Sequence, residues 1–181
     1  MKILLKTDIL IVSKKNLTYW KNDTHWNTYG AYIGYLELIK EIKKDFPDIQ
    51  EVNETDINIS ERAFLNPDLL KLLSMDIEKG LEKYKNVLYK TLSLKKENFD
   101  YVKNAGKNGR DGIITKSNKK YKVLVFRDSF TNSMVPYISQ TFGEVSYIWS
   151  HDLNQFENIV NDYKPDIVIY ESVERYIENL K

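Results

Sequence analysis

The 181-residue sequence contains no cysteine. Thiol nucleophiles, cysteine-type zinc sites and disulfides are excluded together, which leaves hydroxyls, carboxylates and lysines as the nucleophiles. A large net charge is lacking as well: 27 lysines and arginines stand against 26 aspartates and glutamates. A balanced chain has no broad field to attract a polyanion, so nucleic acid is not an expected partner. No run approaches the roughly 18 consecutive apolar residues of a membrane-crossing helix, so direct membrane insertion is not expected either. The start, MKILLKTDILIVSKK, is apolar in part, but Lys6 and Asp8 interrupt it and no small-residue cleavage site follows, so no signal peptide is read there. Repeats and low-complexity linkers are also missing. The expectation is a single domain over residues 1–181 with a less regular insertion around 46–120.

What is present is enough apolar material for a core, 42% of residues, under a well-charged exterior. The last third has the clearest pattern. YKVLVF is a buried-strand run, NSMVPYISQTF has helical spacing with Pro136 tolerable in a first turn, and EVSYIW is a second strand. DLNQFENIVNDY places Leu153, Phe156 and Ile159/Val160 on one helical face and stops at Pro165; DIVIYE is a third strand and SVERYIENL a last helix. Strict alternation of strand and helix predicts an α/β chain with a parallel sheet covered on both faces. Earlier, the stretch from Thr28 predicts a long helix, with Tyr32, Tyr35/Leu36, Ile39 and Ile42 on one side and the small residues Gly30, Ala31 and Gly34 allowing close packing. NPDLLKLLSMDI reads as a short helix, and NAGKNGRDG as a turn-rich loop.

Reactive sites of such sheets lie at the carboxyl ends of the strands, and Ser129, in FRDSF, stands at one. It is either a nucleophile or the polar cap of the next helix, since Asp and Ser are common caps. A nucleophilic hydroxyl needs a base, and there are two histidines. His25, in NDTHW, follows Asp23 by two positions, so the carboxylate can reach one ring nitrogen and leave the other for the hydroxyl; a locally hydrogen-bonded loop is the plainer reading. His151, in WSHDLNQF, reads as a polar residue at a helix start. No metal site is expected, because neither motif has an evident third and fourth ligand. Trp20, Trp26 and Trp149, with Tyr19 and Tyr29, could form a sugar platform or simply pack in the core. Lys43, Lys44, Lys119 and Lys120 are read as solvated surface.

Taken together, YWKNDTHWNTYGAY, VLVFRDSF and PDIVIYESVERYI resemble the alginate O-acetyltransferase family of the AlgX/AlgJ type, whose domain is SGNH-hydrolase-like. The resemblance rests on an Asp-x-His-Trp loop before a Gly-Ala helix and on a late Asp-Ser-Phe block. It implies a three-layer α/β/α sandwich with a mostly parallel sheet in a flavodoxin-like topology. It also implies that Asp23, His25 and Ser129 form a triad, in that chain order, and that NPDLLKLL is the family's Asp-Leu segment. The implied activity is O-acetylation of a cell-surface or exported polysaccharide through an acetyl-serine, outside the cytoplasm and without a cofactor. The partners would be a polysaccharide acceptor and an acyl donor delivered by a membrane acyltransferase. A carbohydrate acetylesterase with the same triad and a noncatalytic glycan-binding module are the alternatives.

Several positions depart from the pattern. Only about twenty residues precede Asp23 where the family has a further strand region, which suggests a truncated or divergent member. Arg127 replaces the glycine before Asp-Ser of ordinary SGNH enzymes. The strand ends that supply their oxyanion donors read WSHD and YESVE here, and an ionised Glu171 cannot donate. The expected donors are the Ser129 backbone N–H and one of a nearby backbone amide, Asn132 or Arg127, with Trp26 as a wall of the site.

Overall fold

The computed structural model describes residues 16–63, 68–103 and 112–173. The apolar start, the turn-rich loop and the last helix expected from the sequence lie outside these residues, apart from Gly112 and the first two positions of that helix. By their contacts the described residues divide into two compact units, one built from 16–48 and 53–95, the other from 49–52 and 96–173.

In the first unit, helix α1 (Thr28–Ile42) runs as the spacing predicts. Asn27 caps it, its Oδ1 accepting the Gly30 N–H at 2.9 Å. Gly30 is required by close approach: a Cβ there would stand 2.2 Å from the Thr18 carbonyl oxygen. Strand β1 (Ile57–Ala63), the short helices α2 (Asp68–Leu72) and α3 (Ile77–Tyr84), and strand β2 (Leu88–Leu94) follow. β1 and β2 form an antiparallel pair in register Ile57 to Leu94 through Ala63 to Leu88. The Thr28 hydroxyl accepts the Leu92 N–H at 2.8 Å, tying the helix start to β2. Trp20 meets Tyr89 edge-on with centroids 4.9 Å apart, and both are buried.

The second unit holds β3 (Phe99–Lys103), β4 (Ile113–Ser117), β5 (Lys122–Arg127), a 3-10 turn over Phe130–Ser133, α4 (Val135–Thr141), β6 (Glu144–Trp149), α5 (Leu153–Tyr163) and β7 (Ile167–Tyr170). Its five strands lie in the order β3-β4-β6-β5-β7. β5 is parallel to both β6 and β7, whereas β4 pairs antiparallel with β6 and β3 antiparallel with β4. The sheet is therefore mixed, which corrects the expectation of a mostly parallel one. Two short antiparallel strands widen the parallel set, and β1 and β2 form a separate antiparallel sheet.

The parallel strands are where the hydrophobic run put them. Val123, Leu124, Val125 and Phe126 are all fully buried, as a strand covered on both faces requires. Each such side chain contributes about 1.5–3 kcal/mol relative to exposure. Successive residues point to opposite faces, and the contacts follow that rule. Phe126 stacks on Phe156 of α5 at 3.6 Å. Tyr147, which pairs with the preceding Val125, hydrogen-bonds Ser139 of α4 at 2.7 Å. Pro136 sits in the first turn of α4, and α5 starts at the cap Asp152 and ends at Lys164 in the left-handed conformation, just before Pro165.

Candidate active-site elements

Asp23 and His25 share a tight loop of the first unit. An antiparallel bridge between Tyr19 and Trp26, with the Asn27 N–H donating to the Thr18 carbonyl at 2.8 Å, closes it. Asn22 adopts φ 65° at the loop tip, a conformation asparagine tolerates better than most residues. Asp23 Oδ1 accepts the His25 backbone N–H at 2.8 Å, forming a local turn, and the same oxygen lies 2.8 Å from His25 Nδ1. The pairing thus comes from a side-chain turn. The two readings of NDTHW, local turn and oriented imidazole, are both realised at one oxygen. A carboxylate only accepts, so Nδ1 carries the proton and Nε2 is the basic nitrogen. The Asp23 side chain is only 6% exposed while that of His25 is 35% exposed, so the acid is shielded and the imidazole reachable.

Asp68, the first residue of α2, was not singled out from the sequence as a site residue. Its carboxylate accepts the Thr24 N–H at 2.8 Å and the Thr24 hydroxyl at 2.5 Å, and it lies 3.6 Å from His25 Nδ1. The Leu69 N–H donates to the Asn22 carbonyl at 3.1 Å, so the start of α2 clasps the whole loop. The sequence offered the segment NPDLLKLL as a motif, but nothing in it shows which residue it would touch. Trp26 packs its ring against Gly34 of α1, where a Cβ would lie 3.1 Å from the indole.

Ser129 belongs to the second unit, just past the end of β5. It occupies the cap position of the 3-10 turn with φ −69° and ψ −21°, yet its side chain makes no capping hydrogen bond. Asp128 does the capping, its Oδ1 accepting the Phe130 N–H at 2.8 Å. The plain capping role thus falls to the neighbouring residue. Ser129 itself is partly exposed.

Arg127 and Asn132, both candidates from the sequence, are brought together. The fully buried Arg127 donates from Nη1 to Asn132 Oδ1 at 2.6 Å and to the Asp128 carbonyl at 3.2 Å, and its guanidinium lies 4.9 Å from the Trp149 ring. Because a guanidinium only donates, this bond fixes the Asn132 amide with its oxygen towards Arg127. The NH2 end of this exposed side chain is then the one presented away from the arginine. Burial lowers the Arg127 pKa, and the nearby Glu171 carboxyl opposes that shift.

Glu171 corrects a sequence argument. Its Oε2 accepts the Asp128 N–H at 3.3 Å and the Thr131 hydroxyl at 2.7 Å. Burial, then the charge of Asp128, push its pKa up to about 8, against the opposing pull of the Thr131 bond. A neutral carboxyl can donate a hydrogen bond, which the ionised form assumed from the sequence cannot. His151 stands beside Tyr170, whose hydroxyl lies 3.4 Å from its Nδ1. Asp23, His25 and Asp68 are also close enough to resemble a metal-binding group, but Nδ1 is engaged by Asp23 and Asp68 holds Thr24.

No protein-family model matches the chain, and no curated protein does. Solved structures do. Bacillus cereus PatB1 with a sulfonyl adduct matches with a TM-score of 0.58 at 19% identity, over 84% of this chain and 59% of that one. A DHHW family protein from Eubacterium siraeum matches at 0.62 and 15% identity, over 90% and 61%. A second PatB1 structure matches at 0.55 and 19% identity, over 84% and 61%. The chain thus spans about three fifths of the length of the proteins it resembles. Its fold is PatB1-like, an α/β fold with a mixed sheet; nothing singles out the alginate-type proteins of the sequence resemblance.

Proposed function

We propose that this chain is a serine-dependent acyltransferase that O-acetylates a polysaccharide through an acetyl-serine at Ser129, with His25 as base and Asp23 as its orienting acid. The observation that carries the reading is the 2.8 Å bond between Asp23 and His25 Nδ1, which makes Nε2 the proton acceptor. Three further points support it. The chain shares the fold of PatB1. The sulfonyl adduct that PatB1 carries is the kind of bond an activated nucleophile forms. The letters of the DHHW family name, taken as residue codes, are met by Asp23, His25 and Trp26, with Thr24 at the second position.

The chemistry balances without a cofactor. As the Ser129 oxygen bonds to the acetyl carbonyl carbon, its proton passes to His25 Nε2, and the carbonyl becomes a tetrahedral oxyanion. The bond to the donor's leaving oxygen then breaks, and that oxygen takes the proton from His25. A sugar hydroxyl repeats the sequence in reverse: it loses its proton to His25 as it attacks the acetyl-serine, and Ser129 recovers a proton as it leaves. The Asn132 NH2, set by Arg127, is the side-chain candidate for the second oxyanion donor, a contribution worth about 3 kcal/mol of barrier.

The test is incubation with an activated acetyl ester, followed by intact and peptide mass spectrometry. An acetyl group on Ser129 that is absent from His25→Ala and then moves to an added oligosaccharide supports transfer. Loss to water alone, unchanged by any glycan, makes the chain an esterase with the same residues. No adduct, with equal ester turnover by wild type and Ser129→Ala, removes the enzyme reading.

A further inference from the structure

The proton on His25 Nδ1 has a second oxygen within reach that the acyl transfer above does not use. Asp23 Oδ1 lies 2.8 Å from the nitrogen, and the Thr24 hydroxyl oxygen lies 3.3 Å from it. The direction of that hydroxyl is fixed by Asp68. Its proton goes to Asp68 Oδ2 at 2.5 Å while Asp68 Oδ1 accepts the Thr24 N–H at 2.8 Å, so one carboxylate grips one residue at both of its donors. A hydroxyl has a single proton and two lone pairs. With the proton committed to Asp68, Thr24 Oγ1 meets Nδ1 as an acceptor. Asp68 Oδ2 itself stands 3.6 Å from Nδ1, so two carboxylates face one ring nitrogen, Asp23 directly and Asp68 across the hydroxyl. The grip is rooted outside the loop. Leu70, two residues after Asp68, is buried and packs on Gly80 of α3, where a Cβ would stand 2.2 Å from its Cδ1.

We infer that Thr24 and Asp68 are positioning residues that form a second orienting arm for His25: the hydroxyl accepts Nδ1–H beside Asp23, and Asp68 supplies opposing charge when the ring becomes an imidazolium. No proton travels along the arm, since Thr24 and Nδ1 each keep their own. In acyl transfer the ring gains a proton twice per turnover, once from Ser129 and once from the acceptor hydroxyl. Asp23 Oδ1 holds both Nδ1 and the His25 backbone N–H, so on its own it leaves the ring able to tilt about one point. A second acceptor to the side of that point restrains the tilt, and a second negative group near the ring favours its charged form. Support of the loop alone would need only the Thr24 N–H bond; the arm needs the hydroxyl. Its effect on turnover rests on the acyl-transfer reading, whereas the placement of the proton on the ring does not.

Thr24→Val keeps the shape and the backbone bond without the hydroxyl, Thr24→Ser keeps the hydroxyl, and Asp68→Asn removes the charge. Each would be made in wild type and in Asp23→Asn, where the direct acid is an amide. One readout is kcat and KM for an activated acetyl ester. The other is 15N NMR of the neutral His25 ring, which reports how much of it carries the proton on Nδ1. Thr24→Val is expected to lower kcat about threefold in wild type with KM unchanged, and at least about tenfold in Asp23→Asn, because each arm covers for the other. Thr24→Ser should restore both, and Asp68→Asn should repeat the pattern of Thr24→Val, which keeps the test open if the valine variant does not fold. Asp23→Asn should retain a residual Nδ1-protonated fraction that Thr24→Val removes. Equal losses in the two backgrounds, or a loss that Thr24→Ser fails to restore, overturn the arm, as does a ring whose proton distribution ignores both Thr24 and Asp68. The expected proton distribution with no ester turnover by wild type would leave the arm standing and remove the acyl-transfer reading.

Discussion

Thr24 gives both its backbone N–H and its hydroxyl to the Asp68 carboxylate, at 2.8 and 2.5 Å. The residue between Asp23 and His25 is thereby held from outside its own loop. Asp68→Ala deletes both bonds in a partly exposed setting and is expected to cost about 1–2 kcal/mol of stability. Activity should fall mainly in kcat, because the imidazole is misplaced and the substrate is not. Thr24→Val keeps the N–H bond and should lose less on both counts. Thermal denaturation and steady-state ester kinetics check this; equal losses would place the whole effect on the hydroxyl.

Asp23→Asn is expected to lower kcat by about 10⁴-fold, because an amide no longer enforces the proton on Nδ1. The amide oxygen still accepts the His25 backbone N–H, so the melting temperature should change little. A large loss of stability with modest loss of turnover would make Asp23 a loop residue only.

Two glycines of α1 should respond differently to alanine. At Gly30 the new Cβ meets a backbone oxygen 2.2 Å away, which cannot be relieved locally, and about 1–3 kcal/mol should be lost. At Gly34 the nearest atom is a Trp26 ring carbon at 3.1 Å. A small shift of the indole is offset by the helix preference for alanine, so the net change should stay within about 1 kcal/mol. Denaturant titration of both variants decides it.

Arg127 and Asn132 should behave as one unit. Arg127→Lys loses the planar fork that reaches Asn132 Oδ1 and the Asp128 carbonyl together. A double-mutant cycle with Asn132→Ala is expected to give a coupling of about 0.5–3 kcal/mol in stability. If Asn132 also serves the oxyanion, its single variant should lower turnover beyond what that coupling accounts for.

Stability should carry the signature of Glu171. Its folded pKa, about 8, lies above that of the unfolded chain, so the native state binds the extra proton between the two values. The stabilisation is full below the unfolded value, near pH 4, and is lost as pH rises through the folded one. Denaturant midpoints of wild type relative to Glu171→Gln should therefore fall progressively from about pH 4 to about pH 8. A constant difference would contradict the shifted carboxyl.

The legible parts of the fold were those with strong periodicity. β5, β6, β7, α1 and α5 announce themselves because buried strands read as apolar runs and helical faces repeat. β1 shows one buried position out of seven, in INISERA, so hydrophobicity could not reveal it. β3 and β4 are five residues each with polar interruptions, and their antiparallel pairing made the sheet mixed. Of the site, Asp23 with His25 was legible because the partners are two apart in sequence. Thr24 with Asp68 and Asp128 with Glu171 are 44 and 43 apart, and a spacing of that length carries no chemical signal. Glu171 was misjudged for a related reason: its charge state depends on burial and on an acid that only folding supplies.

β5 and β7 run side by side in the same direction, with Phe126 opposite Tyr170 and the Glu171 N–H continuing the ladder to the Phe126 carbonyl at 2.9 Å. In that register Glu171 follows level with Arg127, and a slip of β7 by a single position would bring Tyr170 or Ser172 to its place and swing the glutamate to the reverse side of the sheet. The acid at the foot of the serine turn is thus fixed by counting residues along a strand, so insertions are tolerable in the α5 connection but not between Ile167 and Glu171.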